Sequence, residues 1–132
     1  INPKIVHASV LRAANQALQN VHIETKDFRK IEAIVRKGDF VYFDPPYHPL
    51  SATASFRSYT ADSFHEKDQR ELAQTFINLA NRGCLCMLSN SYSPLVLDLY
   101  QRFRIEVVYA KRAINSNGNG RGNIKEIVVL NY

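Results

Sequence analysis

Long apolar runs are missing from this 132-residue chain. No stretch approaches the roughly 20 consecutive apolar residues that a bilayer-spanning helix needs, so no membrane segment is expected. The opening "INPKIVHASV" has neither a charged n-region nor an apolar h-region, and no export signal is read there. Cysteine is scarce as well: Cys84 and Cys86 are the only two, in the C-x-C of "GCLCMLSN". In a strand they point to the same face. A metal site would need two more soft or imidazole ligands close by, and His7, His22, His48 and His65 are scattered without paired spacing. The expectation is two buried thiols in a reducing cytoplasm and no metal. Internal repeats and linkers are absent too, and the length suits one domain with a single core. The chain begins at Ile1 rather than Met, which suggests a piece of a longer protein.

What is present is an uneven surplus of positive charge. The net charge is +5. Residues 1–40 carry seven Lys/Arg against four Asp/Glu, residues 41–100 four against six, and residues 101–132 six against two. A basic end beside an acidic middle is compatible with a polyanion lying across one face.

Hydrophobic spacing gives the element order. Asn2-Pro3 reads as a cap and first helical position, followed at helical spacing by Ile5, Val6, Val10, Ala13, Ala14, Ala17 and Leu18, with Asn20 as a stop. "VHIET" (21–25) alternates and is β-branched, so a strand is expected. A short helix is expected over about 28–36. After Gly38, "DFVYFD" suits a central parallel strand covered on both faces. Residues 48–62 form a loop long enough to demand a functional explanation or disorder. Ser63 and Glu66 read as a capping box opening a helix to about Arg82, with Leu72, Phe76, Leu79 and Ala80 as its buried stripe. "CLCMLS", a helix over about 94–101, "IEVVYA" and "EIVVLNY" follow, the last two joined by the Gly- and Asn-rich "KRAINSNGNGRGN". Alternating β and α predicts an α/β fold: a mostly parallel sheet with helices on both faces, ending in an antiparallel hairpin.

The chemistry concentrates at Asp44, Pro45, Pro46 and Tyr47. Ligands of open α/β sheets lie at the carboxyl ends of strands, and Asp44 ends the most apolar strand. Each proline fixes its own φ and restrains the residue before it, so "DPP" holds a carboxylate and a backbone carbonyl in one orientation with few competing donors. Tyr47 adds a flat aromatic face. Acceptors beside an aromatic platform suit a planar ligand bearing an amino group. Such an amine is a poor nucleophile because its lone pair is delocalised into the ring, and two acceptors gripping its hydrogens orient it for attack on an activated methyl group. The alternative is a turn in which Asp44 caps a helix or pairs with an arginine.

"DPPY" after an apolar strand resembles motif IV of the amino-methyltransferases. The longer text "GDFVYFDPPYHPLSATASFRSYTADSF", with "LSNS" and "KRAINSNGNGRG" beyond it, resembles the Dam-type DNA adenine-N6 methyltransferases over essentially the whole chain. The resemblance implies the C-terminal half of a Rossmann-like methyltransferase sheet, S-adenosylmethionine as methyl donor and double-stranded DNA as partner. It also implies that Asp44, Pro45, Pro46 and Tyr47 grip and stack an adenine flipped from the duplex. By the same resemblance Asp44 lies beside the cofactor's amino end and Asp27-Phe28 contacts its adenine. The loop with Ser51, Thr53, Phe56 and Tyr59 would close over the flipped base, and Arg112, Asn117 and Arg121 would reach DNA. The family's Gly-rich cofactor loop and its ribose-binding acidic residue belong upstream of "DPPY" and are not found; nor is most of the target-recognition insert. The chain by itself is therefore expected to be inactive and to bind cofactor weakly or not at all. Methylation of cytosine N4, of RNA adenine or of a protein glutamine, and a non-catalytic DNA-binding remnant, stand as alternatives; the glutamine-modifying relatives carry Asn where Asp44 stands.

Overall fold

A computed structural model describes residues 7–50, 64–111 and 123–132. Four strands, β1 (Phe40–Phe43), β2 (Leu85–Ser91), β3 (Arg104–Lys111) and β4 (Asn123–Leu130), form one sheet in the order β1-β2-β4-β3. Helices α1 (Ala8–Ala17), α2 (Glu66–Asn81) and α3 (Pro94–Leu99) and a 3-10 turn at Phe28–Ala33 complete the described elements.

The α/β class is as expected, but three details differ. The antiparallel β3–β4 hairpin is as expected, but parallel pairing is confined to β1–β2, since β2–β4 is antiparallel as well. The expected strand at 21–25 pairs with nothing among the described residues, and Ile23 is 76% exposed. Alternation marks a segment that can pair, and a strand exists only where a partner supplies the ladder. The expected helix over 28–36 is a 3-10 segment ending at Ala33. Its continuation is bound sideways instead, as the Arg82 guanidinium takes the Glu32 and Val35 carbonyls.

The start of α2 differs too. His65 is its N-cap, and Asp68 at the third helical position accepts from the His65 N–H at 2.9 Å. Glu66, at the first position, pairs with Arg70 one turn on and does not reach back. Ser63 lies outside the described residues, as do the Asn2-Pro3 start, the loop from residue 51 and the hairpin loop. Ser93 caps α3 at the Val96 N–H, with Pro94 at its first position.

The core lies on one face of the sheet. Leu72, Phe76 and Leu79 of α2 and Val96 of α3 cover Val41, Phe43, Cys86, Leu88, Ile127 and Val129. Phe76 is the centre, with ring centroids 4.9 Å from Phe103, 5.4 Å from Tyr100 and 6.1 Å from Phe43. Both cysteines are buried free thiols on this face, and burial pushes the Cys86 thiol up to about 11. Among the described residues no helix covers the opposite face. Phe40, Tyr42 and Leu85 stand 56%, 52% and 43% exposed there, so β1 is an edge strand covered on one face, not the central doubly covered strand expected. Helix α1 buries none of its residues.

Parallel strands must start in line for their carboxyl ends to meet. Gly38 and Gly83, both at positive φ (91° and 82°), make the turns into β1 and β2, and the Gly38 N–H donates to the Gly83 carbonyl at 2.9 Å. Leu85 N–H then bonds the Asp39 carbonyl at 2.8 Å. The register follows as Phe40 opposite Leu85 through Phe43 opposite Leu88, which brings Asp44 beside Ser89.

Candidate active site

Asp44 leaves the end of β1 with one carboxylate oxygen taken. The Ser89 hydroxyl donates to Asp44 Oδ1 at 2.8 Å, and the Tyr42 hydroxyl lies 2.9 Å from Ser89 Oγ. Since Ser89 has one proton and gives it to the carboxylate, Tyr42 is the donor in the second bond. Asp44 Oδ2 has no partner among the described residues.

The turn after Asp44 is held from beneath by buried side chains. Gln69 Nε2 of α2 donates to the Pro46 carbonyl at 2.9 Å. Gln69 Oε1 accepts from Asn90 Nδ2 at 3.0 Å, and Asn90 Oδ1 accepts from the His48 and Ser91 N–H groups at 3.0 and 2.8 Å. The Ser91 hydroxyl returns to the His48 carbonyl at 2.6 Å. Nothing among the described residues donates to the Pro45 carbonyl. Among the described residues, Asp44 Oδ2 and the Pro45 carbonyl thus remain able to accept.

Beside it opens a cavity of about 500 Å³, within the range of small-molecule sites. Asp44, Pro45 and Pro46 form one wall, and Lys26, Asp27 and Phe28 form another. Phe28 is backed by Phe64, ring centroids 5.7 Å apart, and the Arg29 guanidinium sits 4.5 Å over its ring. Arg29 also reaches Asp27, Asp68 and Glu71, which locks the start of the 3-10 turn onto the first turns of α2. The Asp27 carboxyl is held below its ordinary range by the Arg29 backbone N–H and side chain, and the Asp68 carboxyl by the His65 N–H and Arg29.

Of the residues singled out from sequence, Asp27, Phe28, Asp44, Pro45 and Pro46 line this one cavity. Tyr47 does not; it stands beyond Pro46, 39% exposed, with burial of the rest of the ring and the neighbouring Glu126 and Asp44 carboxylates pushing its phenol up. Ser51, Tyr59, Arg112, Asn117 and Arg121 lie outside the described residues. Sequence reasoning passed over Gln69, Ser89, Asn90 and Ser91. For Ser89, Asn90 and Ser91 a polar interruption was visible, since "SNSY" breaks the apolar pattern at the carboxyl end of a strand neighbouring "DPPY", but nothing in it named their partners, and Gln69 gave no signal.

Comparison with known proteins bears on the same residues. The family described as D12 class N6 adenine-specific DNA methyltransferase matches residues 1–114. A type II methyltransferase, M1.LlaDCHI of Lactococcus lactis subsp. cremoris, is 44% identical over 99% of this chain and 47% of its own length. The type II methyltransferase M.MjaIII of Methanocaldococcus jannaschii is also 44% identical, over 99% of the chain and 46% of its own length. The DNA adenine methylase of Escherichia coli K12 is 34% identical over 97% of the chain and 46% of its own. The chain therefore spans about half the length of the curated relatives it matches.

Proposed function

Because the chain belongs to the D12 class N6 adenine-specific DNA methyltransferases, we propose that it carries the substrate clamp of an enzyme that methylates adenine N6 in duplex DNA. The observation that carries this reading is a turn pinned at Asp44 Oδ1 and at the Pro46 carbonyl, on which Asp44 Oδ2 and the Pro45 carbonyl have no donor among the described residues. An exocyclic amine has two hydrogens to be gripped. Holding both draws the nitrogen away from conjugation with the ring and aims its lone pair, and the carboxylate stabilises the positive charge that develops there. Tyr47, next along the chain and half open, offers its ring as a stacking face for a base rotated out of the duplex.

The cavity fits S-adenosylmethionine in size and chemistry: aromatic Phe28 and the Asp27 carboxylate at one wall, the Asp44 carboxylate for a cationic group at the other. When bound, the cofactor supplies an electrophilic methyl group. Phe28 and Asp27 would hold its adenine, and Asp44 would stand between the cofactor and the target base. Ser51 and Tyr59 would serve the target base, and Arg112, Asn117 and Arg121, in the basic C-terminal third, would serve DNA; all five lie outside the described residues.

The same reading explains the uncovered face. In a Rossmann-like methyltransferase sheet both faces carry helices. We propose that this chain is the C-terminal part of such a domain, that the remaining part packs on Phe40, Tyr42 and Leu85 and pairs with the free edge of β1, and that the cofactor loop and target-recognition region lie in it.

The test uses the full-length protein with labelled S-adenosylmethionine and adenine-containing duplexes, identifying the product nucleoside. N6-methyladenine is expected, and Asp44→Ala should lower its formation by about 100- to 1,000-fold with an unchanged circular dichroism spectrum. Full activity in that variant would refute the assignment.

A further inference from the structure

Gln69 and Asn90 are wholly buried, at 1% and 0% exposure, yet both are amides. A buried amide is tolerated when its donors and acceptors are matched, and these two are matched in one direction only. The Pro46 carbonyl can only accept and the His48 N–H can only donate, so the two ends of the chain Pro46–Gln69–Asn90–His48 fix the orientation of both amides between them. Turning either amide over would set acceptor against acceptor or donor against donor. The two main-chain anchors flank Tyr47, two and four residues after Asp44. An apolar pair of similar volume would fill the same space, but it could not tell one carbonyl of the turn from the next.

We propose that Gln69 and Asn90 are positioning residues for methyl transfer: by engaging the Pro46 carbonyl and the His48 N–H, they present the Pro45 carbonyl and Asp44 to the target amine. The inference rests on the functional reading above. Neither side chain touches substrate. Each acts through the turn, and its loss leaves the acceptors in place but misdirected.

The full-length protein with Gln69→Met or Gln69→Glu should bind cofactor and duplex with KM values within about twofold of the parent, while kcat falls about 10- to 100-fold, the scale of a misplacement near 1 Å. Asn90→Asp keeps the acceptor for His48 and Ser91 and replaces the donor to Gln69 Oε1 by an oxygen, which restores that bond only when the carboxyl is protonated. It should therefore retain more kcat than Asn90→Leu, and being isosteric it reports even where Asn90→Leu fails to fold. Unchanged kcat in folded Gln69→Met, or kcat and both KM values moving together as in a partly unfolded enzyme, would overturn the proposal. An active parent with an inactive Asp44→Ala and a fully active Gln69→Met would overturn this inference alone. A parent that transfers no methyl group overturns the functional reading and the inference with it.

Discussion

Ser89 shows how much a single hydroxyl can determine. It sits at the carboxyl end of β2, buried, with its proton committed to Asp44 Oδ1. That commitment leaves Oδ2 as the oxygen facing outward. A hydrogen bond to a charged group contributes about 1.5–3 kcal/mol, and here the contribution takes the form of aim. Ser89→Ala in the full-length protein should lower kcat about tenfold or more, with cofactor KM little changed; steady-state kinetics at saturating DNA is the measurement. Unaltered kcat would show that Asp44 is oriented without it. At this scale the sequence was legible where the physics is local. "DPPY" is stiffened by its own prolines, so its place at the end of a strand beside a cavity could be read from a few residues. Ser89 and Gln69 were not legible, because their partners lie 45 and 23 residues away and nothing in a hydroxyl or an amide names its partner.

Among elements, the 3-10 turn at Phe28–Ala33 is the informative case. Its apolar spacing suggested a longer helix, but its geometry is set by α2, which grips it at both ends. Arg29 binds back to Asp27, Asp68 and Glu71 at the start, while Arg82 and Asn78 bind Glu32 near the end. Such clamps are tertiary and invisible to periodicity, as is the ladder that residues 21–25 lack. By contrast α2, α3 and the four strands were legible, α2 from its helical apolar period, α3 from its Ser-Pro start, and the strands from short runs rich in apolar and β-branched residues bounded by breakers. The clamp has a pH signature. Asp27 and Asp68 have folded-state pKa values depressed below the ordinary aspartate value of about 3.9. Their contribution is therefore fully present above that value and is lost as pH falls through the lower folded-state values. Urea midpoints should drop as pH is taken below about 4, and Arg29→Met should flatten that drop while lowering the midpoint at neutral pH. Parallel pH profiles for the two proteins would show that Arg29 does not set these carboxyls.

For the whole molecule the asymmetry of the sheet dominates. One face is closed by α2 and α3; the other shows Phe40, Tyr42 and Leu85 to solvent, and α1 offers Val10 and Leu11, both exposed. The composition gave no warning, since an apolar strand reads the same whether its second cover is present or not. A contiguous apolar face of this kind marks an interaction surface. The 132-residue chain alone should self-associate at micromolar concentration and bind a hydrophobic dye. Phe40→Ser with Leu85→Ser should reduce both, as seen by light scattering and dye fluorescence. A parent chain that is monomeric and dye-silent would show that the face is protected in some other way.

The bonded pair Gly38 and Gly83 has a consequence at the far end of the strands. Asp44 lies six residues after Gly38 and Ser89 six residues after Gly83, so the two strands are rails of equal length bolted together at one end. Each residue advances a strand by about 3.3 Å and turns its side chain to the opposite face. Adding or removing one residue in either rail would carry the serine away from the carboxylate and turn it to the other side at once. The Ser89–Asp44 contact therefore tolerates changes of residue along β1 and β2 far better than changes of count. Two glycines that touch no substrate are the zero mark from which that count is kept.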